Sequence, residues 1–513
     1  MQQHNDLRTD PIFSVTSADG PREVSLAQVL AGLGDGTIFD FSYLQPHQRQ
    51  PWHSFLVQLA AMCVDRGFAA GAALTPAGWN EALLQLSGGN SNAWRFIVED
   101  LDEPAFLQPP VPERTLDKFT SDISTPDQLD MLVTAKNHDV KMARIVHPRR
   151  EHWLFALLTL QTQQGFLGAG NYGVARMNGG FGSRPLFAID PAISWAARFT
   201  HDVRRLVEEC PRLADTFGYS PTPSHYLLWL DAWSGGKDES VPLADCHPYA
   251  VEICRRIRFD ARGVCYRATT KAARINIAKE LKGVTGDPWT PIVRGKETKA
   301  LNVGLNGFRY GLVRDILFGE EFENAPAADP AALPAGHGGW IVAQCLARGQ
   351  GGTEGFHERL IPFPSRAISL FAKTDGKAEL AKRSRAWIDD ASLARLKVLY
   401  PALRALLTAG DGGKVESEKL HPWGRRLEAA VDDRFFPALW GSLEEDAETA
   451  RTAWREWLFS IARDIFDEAA RSTPYPSSRR YRAICAGGRV LGGAAKRELQ
   501  ITFQPKQEAP HEQ

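Results

Sequence analysis

No run of about 18 uninterrupted apolar residues occurs in the 513-residue chain, and its start, MQQHNDLRTDP, has no basic segment leading into an apolar one. On these grounds neither a membrane span nor a secretory signal is expected, and the protein reads as cytoplasmic. Cysteine is scarce. The seven present (Cys63, Cys210, Cys246, Cys254, Cys265, Cys345 and Cys485) are scattered and contain no CxxC pair, which excludes a disulfide framework and makes reduced thiols the expectation. An excess of either charge is lacking as well: 60 Lys and Arg stand against 61 Asp and Glu, for a net charge of -1. Any attraction for a charged partner has to come from local clusters. There is no GxSxG, no Walker A pattern and no internal repeat, so the common nucleophile-elbow and P-loop chemistries have no foothold.

What is present is the composition of a folded protein, 43% hydrophobic and 24% charged, long enough for two to four structural units. Two short strands are expected within 12–31, around the turn Ala18-Asp19-Gly20. They lead into SLAQVLAGL, for which Ser25 is the candidate N-cap. Pro51 and Gly67 read as the start and stop of a helix. Leu393, Leu396, Leu399, Leu403 and Leu406 recur at helical spacing, as do Ala450, Trp454, Trp457, Leu458, Ile461 and Ile465, and both stripes read as core. With 425–440 and 477–500 also helical, the expected fold is α+β: a large mixed N-terminal domain over 1–375, then a C-terminal four-helix bundle over 376–513, entered by a loop near Asp375-Gly376.

Three features bear on binding. Gly165, Gly168, Gly170, Gly173, Gly179, Gly180 and Gly182 fall within one short stretch, which means close approach of backbone to something, or a merely irregular surface loop. Gly168 to Gly173 matches GxGxxG, with Asp190 near the position of a ribose-binding acid. WLFALLTLQTQQ before it is helical rather than strand-like, and Asn178-Gly179-Gly180 interrupts what should be a helix after it, so a dinucleotide site fails on context. A glycine loop offering N–H groups to phosphate or a groove fits better. Second, between Cys254 and Ala300 stand twelve Lys and Arg (Arg255, Arg256, Arg258, Arg262, Arg267, Lys271, Arg274, Lys279, Lys282, Arg294, Lys296 and Lys299) against four acids. Further basic strips lie at 136–150 and 471–497. Each is either a phosphate-attracting surface or an ordinary solvated face. Third, Ala347-Arg348-Gly349-Gln350-Gly351-Gly352 reads as a glycine-supported turn with an amide at its tip, suited to base edges.

Metal and catalytic options are thin. Cys246, His247, Cys254 and Cys265 do not have the spacing of a zinc knuckle. His138-Asp139 and His201-Asp202 are the dipeptides of metal-dependent phosphohydrolases, and an HD-type phosphohydrolase or nuclease is the alternative reading. Neither pair has partner ligands at helical spacing, and both fit an ordinary helix surface.

In their order along the chain these pieces resemble the CasA family, the large subunit of type I-E CRISPR Cascade. DPIFSVTSADGPREVSLAQVL is similar to the family's hairpin-then-helix start, and AFLQ at 105–108 to its short signature. GFLGAGNYGVARMNGGFGSRP is similar to its glycine loop, DPWTPIVRGKETKAL to the stretch with its basic finger, and ARGQGGTEGFHERLIP to the stretch with its glutamine wedge. The resemblance implies a non-enzymatic protein without cofactor. Gly168, Ala169 and Gly170 would meet the minor groove of the PAM duplex, Lys296, or failing that Arg294, would enter the same groove, and Gln350 backed by Gly351 would split the first target base pair. Asn137 and Lys141 would contact the crRNA 5′ end and a neighbouring subunit. The implied partners are crRNA, PAM-bearing target DNA, the backbone, 5′-handle-binding and small subunits of the complex, and a helicase-nuclease. Some family members carry a close-spaced cysteine cluster, which this chain lacks, so no zinc is inherited from the resemblance.

Overall fold

The computed structural model describes residues 5–134, 144–173, 184–334, 336–349 and 352–502. The fold is α+β. It divides into two compact units, one running up to Phe308 and resuming over Glu320–Phe363, the other formed by Arg309–Gly319 and the chain from Pro364 onward.

The first unit begins as its sequence suggests. Phe13–Ser17 and Gly20–Val24 form an antiparallel hairpin, closed at Gly20 with φ +100°, and Ile38–Phe41 pairs with the other edge of the first strand. Alternate residues Phe13, Val15 and Ser17 face the core, the period-two pattern of a half-buried strand. Ser25 caps the helix Leu26–Gly34 through a reciprocal capping box, accepting from Gln28 N at 3.3 Å while Ser25 N donates to Gln28 Oε1 at 2.8 Å. The next helix departs from expectation. It runs Pro46–Asp65, so Pro51 lies inside it instead of opening it. Pro46 occupies the first turn and Gln45 N donates to Gln48 Oε1 at 3.1 Å. Burial of nearly the whole helix offsets the single backbone hydrogen bond that Pro51 forfeits.

Helices Arg150–Gln163 and Trp195–Phe217 pack in the same unit, the second capped by Ser194 and closed by Gly218 in the left-handed region at φ +71°. A three-stranded antiparallel sheet dominates its far part. In it Gly339–Gly349 is the central strand, paired with Gly352–Phe363 on one side and Leu186–Asp190 on the other.

Among the described residues the second unit is helical. Its four long helical stretches are Thr374–Leu393 continuing through 394–399 to Tyr400–Leu407, His421–Gly441, Ala447–Ser472 and Ser477–Glu498. Trp387 stacks on Trp454 at 4.8 Å, and Trp454 Nε1 donates to Trp387 O. Asp390, fully buried, is clamped by Arg451 at 2.7 Å and Arg455 at 3.0 Å. Two expectations are corrected. Asp375-Gly376 is not a loop but the first turn of Thr374–Leu393, and a Cβ at Gly376 would stand 2.6 Å from Leu370 O, so glycine permits the tight passage from Ser365–Phe371. Leu396, expected in the core, is 43% exposed. Residues 394–399 form a π-helical turn, whose extra residue rotates the stripe so that Val398 and Leu399 point inward and Leu396 outward.

Candidate nucleic-acid interface

Burial divides the basic residues between Cys254 and Ala300 into two populations. Arg255, Arg256, Arg258 and Arg274 are buried, contrary to the expectation of a phosphate-attracting surface. Arg255 donates to Cys254 O and Gly165 O, and Arg258 to Val98 O, Glu103 O and Asp100 O. Arg256 pairs with Glu113 at 2.9 Å, and Arg274 donates to Glu239 O. The guanidiniums of Arg255, Arg258 and Arg274 thus satisfy buried backbone carbonyls, and Arg256 is held by a carboxylate. Burial also draws the Arg258 guanidinium down to about 10. The AFLQ segment has the same structural task. Gln108 Nε2 donates to Phe96 O while its Oε1 accepts from Phe259 N, and Gln161 Nε2 bonds both Leu107 O and Arg255 O.

Lys271, Lys279, Lys282, Arg294, Lys296 and Lys299 are exposed. The last three belong to a small antiparallel hairpin, Ile292–Arg294 with Thr298–Ala300, whose connection is Gly295-Lys296-Glu297. Arg294 reaches Glu323 on the neighbouring strand, and Lys282 pairs with Glu297 at 2.5 Å. The approach to this hairpin is rigid. Asp287 accepts from Trp289 N and Thr290 N through Oδ1 and forms a 2.5 Å ion pair with buried Arg184, whose guanidinium also lies over the Trp289 ring.

The glycine loop follows a helix, as its sequence requires. Leu167 N donates to Asn171 O and Asn171 N to Gly168 O, closing a turn with Gly168 at φ +93°, Gly170 at φ +80° and Ala169 exposed at its tip. Thr270 N donates to Gly170 O and Thr270 Oγ1 to Tyr172 O, anchoring the loop on the Thr269-Thr270 segment. A Cβ at Gly173 would lie 2.0 Å from Arg255 Nη1. The glycines thus serve two needs, left-handed backbone at Gly168 and Gly170 and close packing at Gly173.

The amide-tipped segment crowns a long hairpin. Gly349 pairs with Gly352 at its end and a bulge interrupts the register at Ala347/Arg348. Gln350 and Gly351 lie outside the described residues, as do Asn137, Lys141 and the His138-Asp139 pair. The structure joins the bases of the two hairpins. Leu186–Asp190 flanks the long hairpin, and its Phe187 N donates to Trp289 O while Thr290 Oγ1 donates to Pro185 O, immediately before the basic hairpin. The glycine loop is anchored separately, on Thr270. Of the other strips, Arg149 is tied to Glu151 and Glu23, whereas Arg479, Arg480, Arg482, Arg489, Lys496 and Arg497 are exposed on Ser477–Glu498.

His201 and Asp202 do not sit on a helix surface but face the core. Asp202 Oδ2 accepts from His53 Nε2 at 2.9 Å and Trp289 Nε1 at 3.2 Å, and Oδ1 meets His201 Nδ1 at 3.2 Å. Asp190, the acid of the discarded dinucleotide pattern, forms a 2.5 Å ion pair with Arg198. Burial, aided by the Arg198 charge, lowers His53 to about 4, so its ring is neutral at ordinary pH. Against the burial that would raise it, the bonds and charges of His201 and His53 hold Asp202 well below the usual carboxylate range, and burial raises Asp190 above it. Both Asp202 oxygens are committed and Asp190 pairs with Arg198, so the cluster is a buried hydrogen-bonded network, in which Asp190 Oδ1 and His201 Nε2 have no hydrogen-bond partner among the described residues. Cys254 and Cys265 do not converge with His247 in any metal-ligand group among the described residues, whereas Cys210 and Asp65 do. Spacing hides that grouping, since its members come from three distant elements.

No described helix is long and apolar enough to cross a membrane. No family model matches the sequence, and no curated protein matches it. Solved structures do. Thermus thermophilus CasA (Cse1) is 14% identical with a TM-score of 0.60, over 96% of this chain and 100% of that one. Thermobifida fusca Cse1 is 15% identical with a TM-score of 0.63, over 96% and 98%. A chain of a CRISPR RNA-guided surveillance complex is 14% identical with a TM-score of 0.60, over 95% and 99%. The chain therefore has the CasA fold throughout.

Proposed function

We propose that this chain is the large subunit of a type I-E CRISPR surveillance complex, a protein without catalysis of its own that recognises PAM in duplex DNA and starts its opening. The observation that carries the reading is the likeness of fold to CasA structures over 96% of the chain, and the exposed glycine turn and basic hairpin of this chain support it. Ala169, between two left-handed glycines, offers bare backbone to a groove. Lys296 at the hairpin tip, with Arg294 and Lys299 beside it, supplies the cations. The minor groove presents a degenerate pattern, so a reader of this kind tolerates several PAM sequences. Gln350 and Gly351, which lie in sequence between Gly349 and Gly352, would split the first base pair, an unstacking that costs a few kcal/mol and is offset by the groove contacts. Asn137 and Lys141 would meet the crRNA 5′ end. The C-terminal bundle would touch the small subunits, and the N-terminal domain would recruit the helicase-nuclease.

The test is a pair of variants in the assembled complex. Lys296→Ala should weaken duplex binding and reduce the slope of log K against log salt by about one, and an unchanged affinity would remove the finger assignment. Gln350→Ala should leave assembly intact and impair R-loop formation on supercoiled plasmid; normal R-loops would overturn the wedge.

A further inference from the structure

Asp65, at the end of the Pro46–Asp65 helix, Cys210, in Trp195–Phe217, and His247, in the strand Cys246–Val251, converge although 145 residues separate the first two and 37 the last two. His247 Nε2 lies 3.1 Å from Asp65 Oδ2 and 3.9 Å from Cys210 Sγ. Around a tetrahedral zinc with Zn–S about 2.3 Å and Zn–N and Zn–O about 2.0–2.2 Å, sulfur and nitrogen stand about 3.6 Å apart and nitrogen and oxygen about 3.3 Å. The two measured edges bracket those lengths. Cys210 and His247 are buried while the Asp65 side chain is one-third exposed, so the group is closed on the protein side and open to solvent through the carboxylate. Beside it stands Tyr226, its ring 5.4 Å from His247 and its hydroxyl buried with no hydrogen-bond partner among the described residues.

We propose that Asp65, Cys210 and His247 form a zinc site, with water as the fourth ligand and the Tyr226 hydroxyl as that water's hydrogen-bond partner. Thiolate, imidazole and carboxylate are the donor set zinc prefers. In the metal-free molecule Tyr249 N donates to His247 Nδ1 at 3.0 Å, so Nε2 carries the ring proton and donates to Asp65. On binding, that proton passes to Nδ1, the Tyr249 contact is given up, the thiol releases its proton to solvent, and the metal takes Nε2 and Sγ. The metal would clip two helices and a strand together, independently of whether the chain reads PAM.

Cobalt(II) is the probe, added to the purified full chain after chelator treatment. One cobalt per chain with thiolate-to-cobalt absorption is expected, displaced by zinc, lost in C210S and retained in C485S. D65A, which alters a partly exposed side chain and so keeps the test decisive if C210S does not fold, should weaken binding by more than about 100-fold, because outer-shell changes alone cost about 10–100-fold. Absence of stoichiometric cobalt, absorption that survives C210S, or unchanged affinity in D65A would each overturn the site.

Discussion

Arg258 and Lys296 are cations in the same basic stretch with opposite physical roles. Arg258 is buried and bonds three carbonyls. Its replacement by Leu would remove the bonds to Val98 O and Glu103 O at about 1–3 kcal/mol each, while Asp100 O keeps Glu103 N, and denaturant titration should show a loss of that order or more. Gly173→Ala should destabilise by about 1–3 kcal/mol, because the new methyl collides with Arg255 and Cys254 O. Ala at Gly168, where the space is open and only φ objects, should cost less. His53 gives the pH dependence its sign. Its folded value of about 4 lies below the ordinary 6.5, so as pH falls from 6.5 toward 4 the unfolded chain gains a proton that the native state refuses, and stability is lost. The span corresponds to about 3 kcal/mol. Urea titrations at several pH values should show wild type losing about that much relative to His53→Gln over this window. A sequence carries no burial signal for a charge run, which is why Arg255, Arg256, Arg258 and Arg274 read as surface while Lys296, on a Gly-bounded turn, read correctly as exposed.

Helices were legible where an apolar period of 3.6 ran between a capping residue and a stop, as in Leu26–Gly34 and Ala447–Ser472. The long hairpin was visible only as a turn, because its central strand Gly339–Gly349 is buried between two neighbours and has no polar alternation to announce it. The π turn at 394–399 was invisible for a related reason: a periodicity count assumes one pitch throughout. Its consequence is checkable by substitution. Leu396→Glu should change stability by no more than about 0.5 kcal/mol, as exposed substitutions do. Val398→Asp, placing a carboxylate in the bundle core, should abolish cooperative unfolding of that region as followed by circular dichroism.

Across the whole molecule the charge is balanced, so the proposed duplex affinity would rest on local geometry. With Arg294, Lys296 and Lys299 as the phosphate-contacting set, log K should fall with log salt at a slope of about -3, whereas all twelve cations of the stretch would give about -11. Equilibrium binding across a salt series distinguishes them. Composition and feature order were enough to suggest the CasA fold, but not that the sheets of the two hairpins are tied together at their bases by hydrogen bonds. Phe187 N donating to Trp289 O is the splice between them. If both hairpins engage duplex DNA as proposed, they share one handle, and free energy gained at one is not private to it. Loosening the handle by Trp289→Leu, which keeps the carbonyl but removes the indole bond to Asp202 and the stacking on Arg184, should degrade groove binding and strand opening together, and a double-mutant cycle between Lys296 and Gln350 should lose interaction energy in that background.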